Sequence, residues 1–352
     1  MGYARAINPR IQSNSPWSFR HLSPFILADA IRTKGWSFIP NQVLPPLLAN
    51  TAVGAVLYTT YLNTLGLLHE PSSRATKRVY PPPPLATTFQ AGFIAGSVQS
   101  LLAAPLDALQ IRFHAKEMMD GKWHSMWHYA SSKTSSIGLR GIFAGYSLSL
   151  LRDSIGFGAF FATFEFVKGQ CFYGFVSNVY GFYDQLSLFQ KTTIAGQDAT
   201  PGRPEIRPHY LLEPSFILLA GAAASVAQSV IQHPITRIQD VHYGRLEWID
   251  SHRPSPPPSG HPTSTQKSPP PKLNALTMYA SAYRKTFKQC LAHARRSGGL
   301  RTWLYKGFVV GTLRQVPSTS AGLIAFEVIR RKYAMDEEVV RIRKDGYDIL
   351  LV

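Results

Sequence analysis

Charged residues fall along this chain in clusters, and the stretches between them are long and apolar. Ser37–His69, Leu85–Leu106 and Pro214–Thr236 contain no Asp, Glu, Lys or Arg. Two more stretches, 141–167 and 307–326, are apolar apart from one Arg-centred spot each, Arg152-Asp153 and Arg314-Gln315, and Glu165 near the end of the first. A helix crosses a bilayer with about 20 apolar residues. The pattern therefore predicts five helices near 39–65, 87–112, 142–170, 214–241 and 307–333, separated by polar loops. A soluble protein would bury such helices in its core, but five of them in series favour a membrane.

Two unlike segments each occur twice, in the same order. Residues 91–112 (AGFIAGSVQSLLAAPLDALQIR) match residues 220–239 (AGAAASVAQSVIQHPITRIQ). The shared frame is Gly92 to Pro105 and Gly221 to Pro234, with Gln99-Ser100 and Gln228-Ser229 at one offset. Downstream, 152–168 and 314–330 each run from an Arg to an aromatic-Glu-x-x-basic ending. Repetition of this kind marks a chain assembled from copies of a two-helix unit. Gly92/Gly96 and Gly221/Ser225 are small-x-x-x-small pairs, which let helix backbones approach closely in lipid. Pro105 and Pro234 each remove a backbone donor inside a helix and are expected to kink it.

Composition narrows the class. Only 16% of the residues are charged, yet Lys+Arg exceed Asp+Glu by 37 to 20. The cations form no aromatic-interleaved patch, so nucleic acid is not an expected partner. The basic connectors 113–140 and 242–306 fall on one side by alternation and are expected to face the matrix or cytoplasm. Cys171 and Cys290 make neither a disulfide framework nor a metal site. His124, His128 and His233 have no partners at metal-ligand spacing. With no phosphate loop, nucleophile elbow or catalytic acid pair, neither an enzyme nor a cofactor is expected. Residues 1–22 are polar and basic, and read equally as a targeting segment or a plain unfolded start. Residues 251–272 are rich in Pro and Ser and cannot pack a core.

The Pro-x-Asp-x-x run, the Gly-rich stretch before a basic residue and the aromatic-Glu-x-x-basic ending resemble the mitochondrial carrier family. The resemblance covers nearly all of 30–333. It implies an all-α membrane protein, a barrel of tandem two-helix repeats that alternates two salt-bridge gates around one central site. Its partners would be a small-molecule solute and membrane lipid, with cardiolipin expected, and the protein would be a monomer of the inner membrane.

Carried over residue by residue, the resemblance implies the following roles. Glu165, Lys168, Glu327 and Arg330 match one gate, while Thr60–Thr64 supplies neither acid nor base to it. Asp107, Gln110 and Gln239 occupy the matrix gate, where Gln and Thr replace most of the charges. Arg152-Asp153 and Arg314-Gln315 fall at the substrate contact points. There Arg152 would take a carboxylate and Asp153 an ammonium, as in carriers of amino acids, or the pair is purely structural. Tyr305, Lys306 and Gly307 match a cardiolipin signature, and Phe143-Ala144-Gly145 matches it in part. The implied organisation is a polar start (1–22), a partial first repeat (23–70), a loop (71–86), a second repeat (87–180) and another loop (181–213). A third repeat (214–333) follows, with a Pro/Ser-rich insertion at 246–275, and then a tail (334–352). With about five transmembrane helices, the sixth would be missing at the N-terminus. The alternative is a transport-inactive carrier-fold scaffold or receptor, placed in the outer membrane.

Overall fold

A computed structural model describes residues 31–32, 35–37, 39–74, 79, 81–111, 125–179, 205–206, 208–209, 211–251, 275–333, 340–344 and 347–351. Five long helices form where the apolar stretches predict them. A π-helical turn, Ile39–Val43, leads into α1 (Leu44–Leu68). The short α2 (Glu70–Arg74) precedes α3 (Leu85–Ile111). Then come α4 (Met126–Ile142), a single 3-10 turn (Phe143–Gly145) and α5 (Tyr146–Glu165). A π-helical segment, Phe166–Cys171, joins α5 to α6 (Phe172–Val179). The second half holds α7 (Leu212–Ser251), α8 (Ala275–Arg296), α9 (Leu300–Leu304) and α10 (Phe308–Tyr333). Among the described residues, α3 and α7 are long and apolar enough to cross a membrane by length and composition. Both run as continuous helices through Pro105 and Pro234, and α10 likewise contains Pro317.

Some boundaries differ from the sequence reading. The helix through Pro234 continues to Ser251, so residues 246–251 of the expected insertion are its last turns. Residues 71–74 of the expected loop are helical, in the helix Glu70–Arg74. The expected C-terminal tail forms a hairpin of β2 (Val340–Lys344) and β3 (Tyr347–Leu351), and β1 (Glu205–Ile206) pairs parallel with β3. The fold is otherwise helical. The polar start, most of the expected 23–34 helix and the Pro/Ser-rich stretch 252–274 lie outside the described residues.

The chain divides into two compact units, with α1, α3, α5, α7 and α9 each contributing residues to both. One unit comprises Leu57–Val98, Leu150–Thr236 and Arg301–Val352. In it, α1, α3, α5, α7 and α10 meet in one apolar cluster that includes Leu57, Ala91, Phe161, Ala220 and Leu323. Tyr61 stacks on Phe161 at 3.7 Å between ring centroids, and Tyr58 meets the same ring edge-on at 5.8 Å.

The small residues of the repeat serve this packing. A Cβ on Gly92 would lie 2.6 Å from the Phe157 carbonyl oxygen, and one on Gly96 would lie 2.5 Å from that of Asp153. The α3 and α5 backbones thus touch along this ridge, as the small-residue spacing predicts. In the second copy, Gly221 abuts Ser320 and Leu323 of α10, where a Cβ would lie 3.1 Å from the Ser320 hydroxyl.

The other unit comprises Met1–Val56, Gln99–Ser149 and Arg237–Leu300. Its core packs Ala144 against Tyr243 and Leu246 at the end of α7 and Ala282 on α8. Gly145 accepts the Tyr243 ring where a Cβ would stand, 2.6 Å from the ring edge.

Candidate functional site

The middle of α5 carries the charged residues of the expected substrate site. Arg152 Nε donates to Asp153 Oδ1 at 2.7 Å, and Nη2 donates to Oδ2 at 3.0 Å. The pair is bidentate, the strongest geometry available to these groups. The Arg152 side chain is 18% exposed and that of Asp153 is 3% exposed. The ion pair therefore holds a nearly buried carboxylate that would be costly to leave unpaired. Next to it, Ser154 Oγ shares a hydrogen bond of 2.8 Å with Ser97 Oγ of α3.

A second polar group joins α7 to α10 in the same unit. Ser229 Oγ donates to Gln315 Oε1 at 3.4 Å, and Gln315 Nε2 donates to Gln228 Oε1 at the same distance. Gln315 thus lies on the Gln-Ser pair of the repeat. Both copies of that pair, Gln99-Ser100 and Gln228-Ser229, are buried. Their common offset was visible in the sequence, but no charge marked them as functional. Gln232, one turn further along α7, lies against Gly156 of α5, where a Cβ would stand 2.5 Å from its side chain.

At the expected matrix gate, Asp107 sits half-buried on α3. Gln239 is buried in a neutral network: its Nε2 donates to Ser149 Oγ at 2.7 Å and to Tyr243 Oη at 3.3 Å. Ser149 and Tyr243 were not anticipated. The signal lay in the spacing, since Tyr243 follows Gln239 by four residues and so shares its helix face.

At the expected opposite gate, Glu165 closes α5 and Lys168 lies in the π-helical segment, with Nζ 5.5 Å from the Phe164 ring centroid. The π turn widens the angular spacing that an α-helix would give this acid-x-x-base motif. The side chains of Gln110, Arg314, Glu327 and Arg330 lie outside the described part of the molecule.

The expected lipid signature forms the turn between α9 and α10. Gly307 adopts φ 81°, which a side chain would strain. Tyr305 Oη donates to the Val230 carbonyl at 3.1 Å. His233 Nε2 lies 3.3 Å from the Lys306 carbonyl, so that nitrogen carries the proton. Its ring stacks near Tyr305 and meets Phe308 edge-on. The histidine before Pro234 thus ties α7 to this turn.

Comparison with known proteins agrees with this architecture. A family model described as mitochondrial carrier protein matches residues 81–173, from the loop before α3 into α6. A mitochondrial arginine transporter of Arabidopsis thaliana is 26% identical over 143 residues, 41% of this chain and 45% of that protein. An uncharacterized mitochondrial carrier of Schizosaccharomyces pombe is 24% identical over 268 residues, 68% of this chain and 94% of its own length. A glutamate/glycine mitochondrial carrier of the same yeast is 26% identical over 129 residues, 37% of this chain and 40% of that protein. The chain thus spans less than half of the two relatives named for a substrate. The repeated Gly-to-Pro helices, the close α3–α5 packing and these matches together make the chain similar to the mitochondrial carrier family, with the family model matched over residues 81–173.

Proposed function

We propose that the chain is a solute carrier of the mitochondrial inner membrane that exchanges a small metabolite, an amino acid or related carboxylate, by alternating access. The supporting observation is the bidentate Arg152–Asp153 pair on α5, its carboxylate buried and its guanidinium partly exposed. The two charges bond each other. A zwitterion replaces both partners at once, its carboxylate on Arg152 and its ammonium on Asp153, and leaves no buried charge alone. Arg314 and Gln315 complete the contact points on α10. Glu165, Lys168, Glu327 and Arg330 form one gate, and Asp107, Gln110 and Gln239 the other. Two relatives named for arginine and for glutamate and glycine point the same way. Cardiolipin sits at Tyr305–Gly307, and the protein works as a monomer.

The test is uptake into liposomes holding the purified protein, over a panel of amino acids, carboxylates and nucleotides. Zwitterionic amino acids are expected to move, and Arg152→Ala is expected to abolish that uptake. Uptake by Arg152→Ala equal to that of the natural protein would overturn the site.

One observation favours a second reading. Gln239, where the resemblance implies a charged gate residue, instead joins the neutral network with Ser149 and Tyr243. A carrier fold held shut in this way would serve as a scaffold or receptor, placed in the outer membrane. Silence across the whole panel, with the protein folded, selects that reading.

A further inference from the structure

The C-terminal hairpin takes no part in the proposed solute site. Its strands read VRIRK (β2) and YDILL (β3). Val340, Ile342 and Lys344 pair with Leu351, Ile349 and Tyr347, while Arg341 and Arg343 pair with Leu350 and Asp348. The period of two along a strand puts these two sets of pairs on opposite faces of the sheet. On the first face Ile206 of β1 and Ile342 of β2 both pair with Ile349, which is fully buried. The strand order β1-β3-β2 makes β3 central and β2 an edge, and among the described residues β2 pairs with β3 alone.

The register fixes which backbone groups that edge offers. Lys344 pairs with Tyr347 across a two-residue link, and residues flanking such a link exchange both of their main-chain bonds. Alternation from that pair turns the N–H and C=O of Val340, Ile342 and Lys344 toward β3. Those of Arg341 and Arg343 turn outward, away from β3. An outward row of N–H and C=O groups is a template for another strand.

Charge selects the occupant. β2 carries Arg341, Arg343 and Lys344 and no acid. Arg343 stands across from Asp348, but Arg341 stands across from Leu350. Cations on an edge strand guard it against copies of itself. Two β2 strands paired antiparallel over their full length would set Arg341 opposite Arg343 of the copy, and like charges directly opposite destabilise a sheet. The same arginines favour a strand with acids at those positions. We propose that the edge of β2 receives an extended acidic segment of a partner protein as a further strand. The partner's main chain bonds the outward groups of Arg341 and Arg343. Its acidic residues stand opposite those two, alternating with apolar residues opposite Val340 and Ile342. The inference does not depend on whether the chain transports a solute.

Peptide binding and residue-resolved hydrogen exchange, both on the full chain in detergent, test it. The probes are two short dye-labelled peptides, one alternating Val with Glu and the other Val with Lys. The Glu peptide is expected to bind about tenfold more tightly, and the preference should shrink in high salt. On binding, the amides of Arg341 and Arg343 should slow about tenfold, while those of Ile342 and Lys344, already bonded to β3, stay as they were. Arg343→Gln removes the charge alone and should weaken binding a few-fold. Arg343→Pro also removes an outward donor, spares the bonds to β3 and should abolish binding. Unchanged exchange at Tyr347 and Ile349 shows that the hairpin survives the proline; where it does not, the exchange pattern of the natural protein decides. Equal affinity for the two peptides overturns the proposal. So does binding that leaves the Arg341 and Arg343 amides unslowed, or binding by Arg343→Pro at the level of Arg343→Gln. Slow exchange of those two amides without peptide, in a protein that sediments as a dimer, would assign the edge to a second copy instead.

Discussion

The contact between α3 and α5 at Gly96 yields a prediction whose size follows from the geometry. In Gly96→Ala the new Cβ would stand 2.5 Å from the Asp153 carbonyl oxygen, 2.9 Å from its carbonyl carbon and 3.1 Å from Ser154 Cα. All three are backbone atoms of a packed helix, so no side chain can swing away. Overpacking of this kind costs about 3 kcal/mol, the upper end of its usual range. The better helix propensity of Ala returns about 1 kcal/mol. The net loss is therefore about 2 kcal/mol, or for a chain of 352 residues a midpoint lower by roughly 3 °C. Gly54→Ala is the internal control, because a Cβ there meets nothing within 4 Å. It gains only the propensity term and should raise the midpoint. Gly221→Ala should fall between, since its nearest neighbour is the Ser320 hydroxyl, which can rotate. Thermal unfolding in detergent can be followed through exposure of Cys290, a buried free thiol. The close-approach argument fails if Gly96→Ala melts at or above the temperature of Gly54→Ala.

Other outcomes follow from single contacts. Asp153→Asn keeps the shape but leaves Arg152 without its carboxylate; the variant should lose about 3 kcal/mol in thermal unfolding and all uptake, whereas Ser97→Ala should lose little of either. Gln239→Leu removes the amide that bonds Ser149 and Tyr243 and should cost about 1–3 kcal/mol, read as a lower midpoint. Gly307→Ala forces a side chain into φ 81° and should cost about 1–2 kcal/mol by the same assay. Burial pushes the Cys290 thiol above its ordinary value, so the folded protein holds that proton more tightly than the unfolded chain. Its contribution to stability is therefore full below the ordinary thiol range and declines as pH rises through it. Thiolate-directed reagents should accordingly label Cys290 slowly until the protein unfolds.

The helices were legible because an apolar run free of charge has few other fates, and Gly92, Gly96 and Gly221 were legible because their spacing recurs. Asp153 was visible as an acid beside an arginine, and both lie where the repeats align. That the two bond each other was not legible, since adjacent residues on an α-helix normally diverge and only the side-chain geometry brings them together. The position of Lys168 was missed for a related reason. Acid-x-x-base implies one helix face at the α-helical period, and the π turn from Phe166 to Cys171 changes the period at that point. The hairpin at the C-terminus did leave a signal that went unread. Val340 and Ile342 alternate with Arg341 and Arg343, and Asp345-Gly346 is the dipeptide that joins strands most tightly. The pairing of Lys344 with Tyr347 fits that two-residue link. The Gln239–Ser149–Tyr243 network was hidden because neutral side chains carry no sequence mark until the fold assembles them.

The length of α7 sets a mechanical limit. Its 40 residues rise about 60 Å, roughly twice the hydrocarbon thickness of a bilayer. Set upright in a bilayer, about half of this rod would project beyond the hydrocarbon. A tilt of only 10° about the middle of such a rod moves each end by about 5 Å, close to one helical turn. Small rotations of this helix thus become displacements on the scale of a side chain at its own ends, which makes α7 a lever as well as a span.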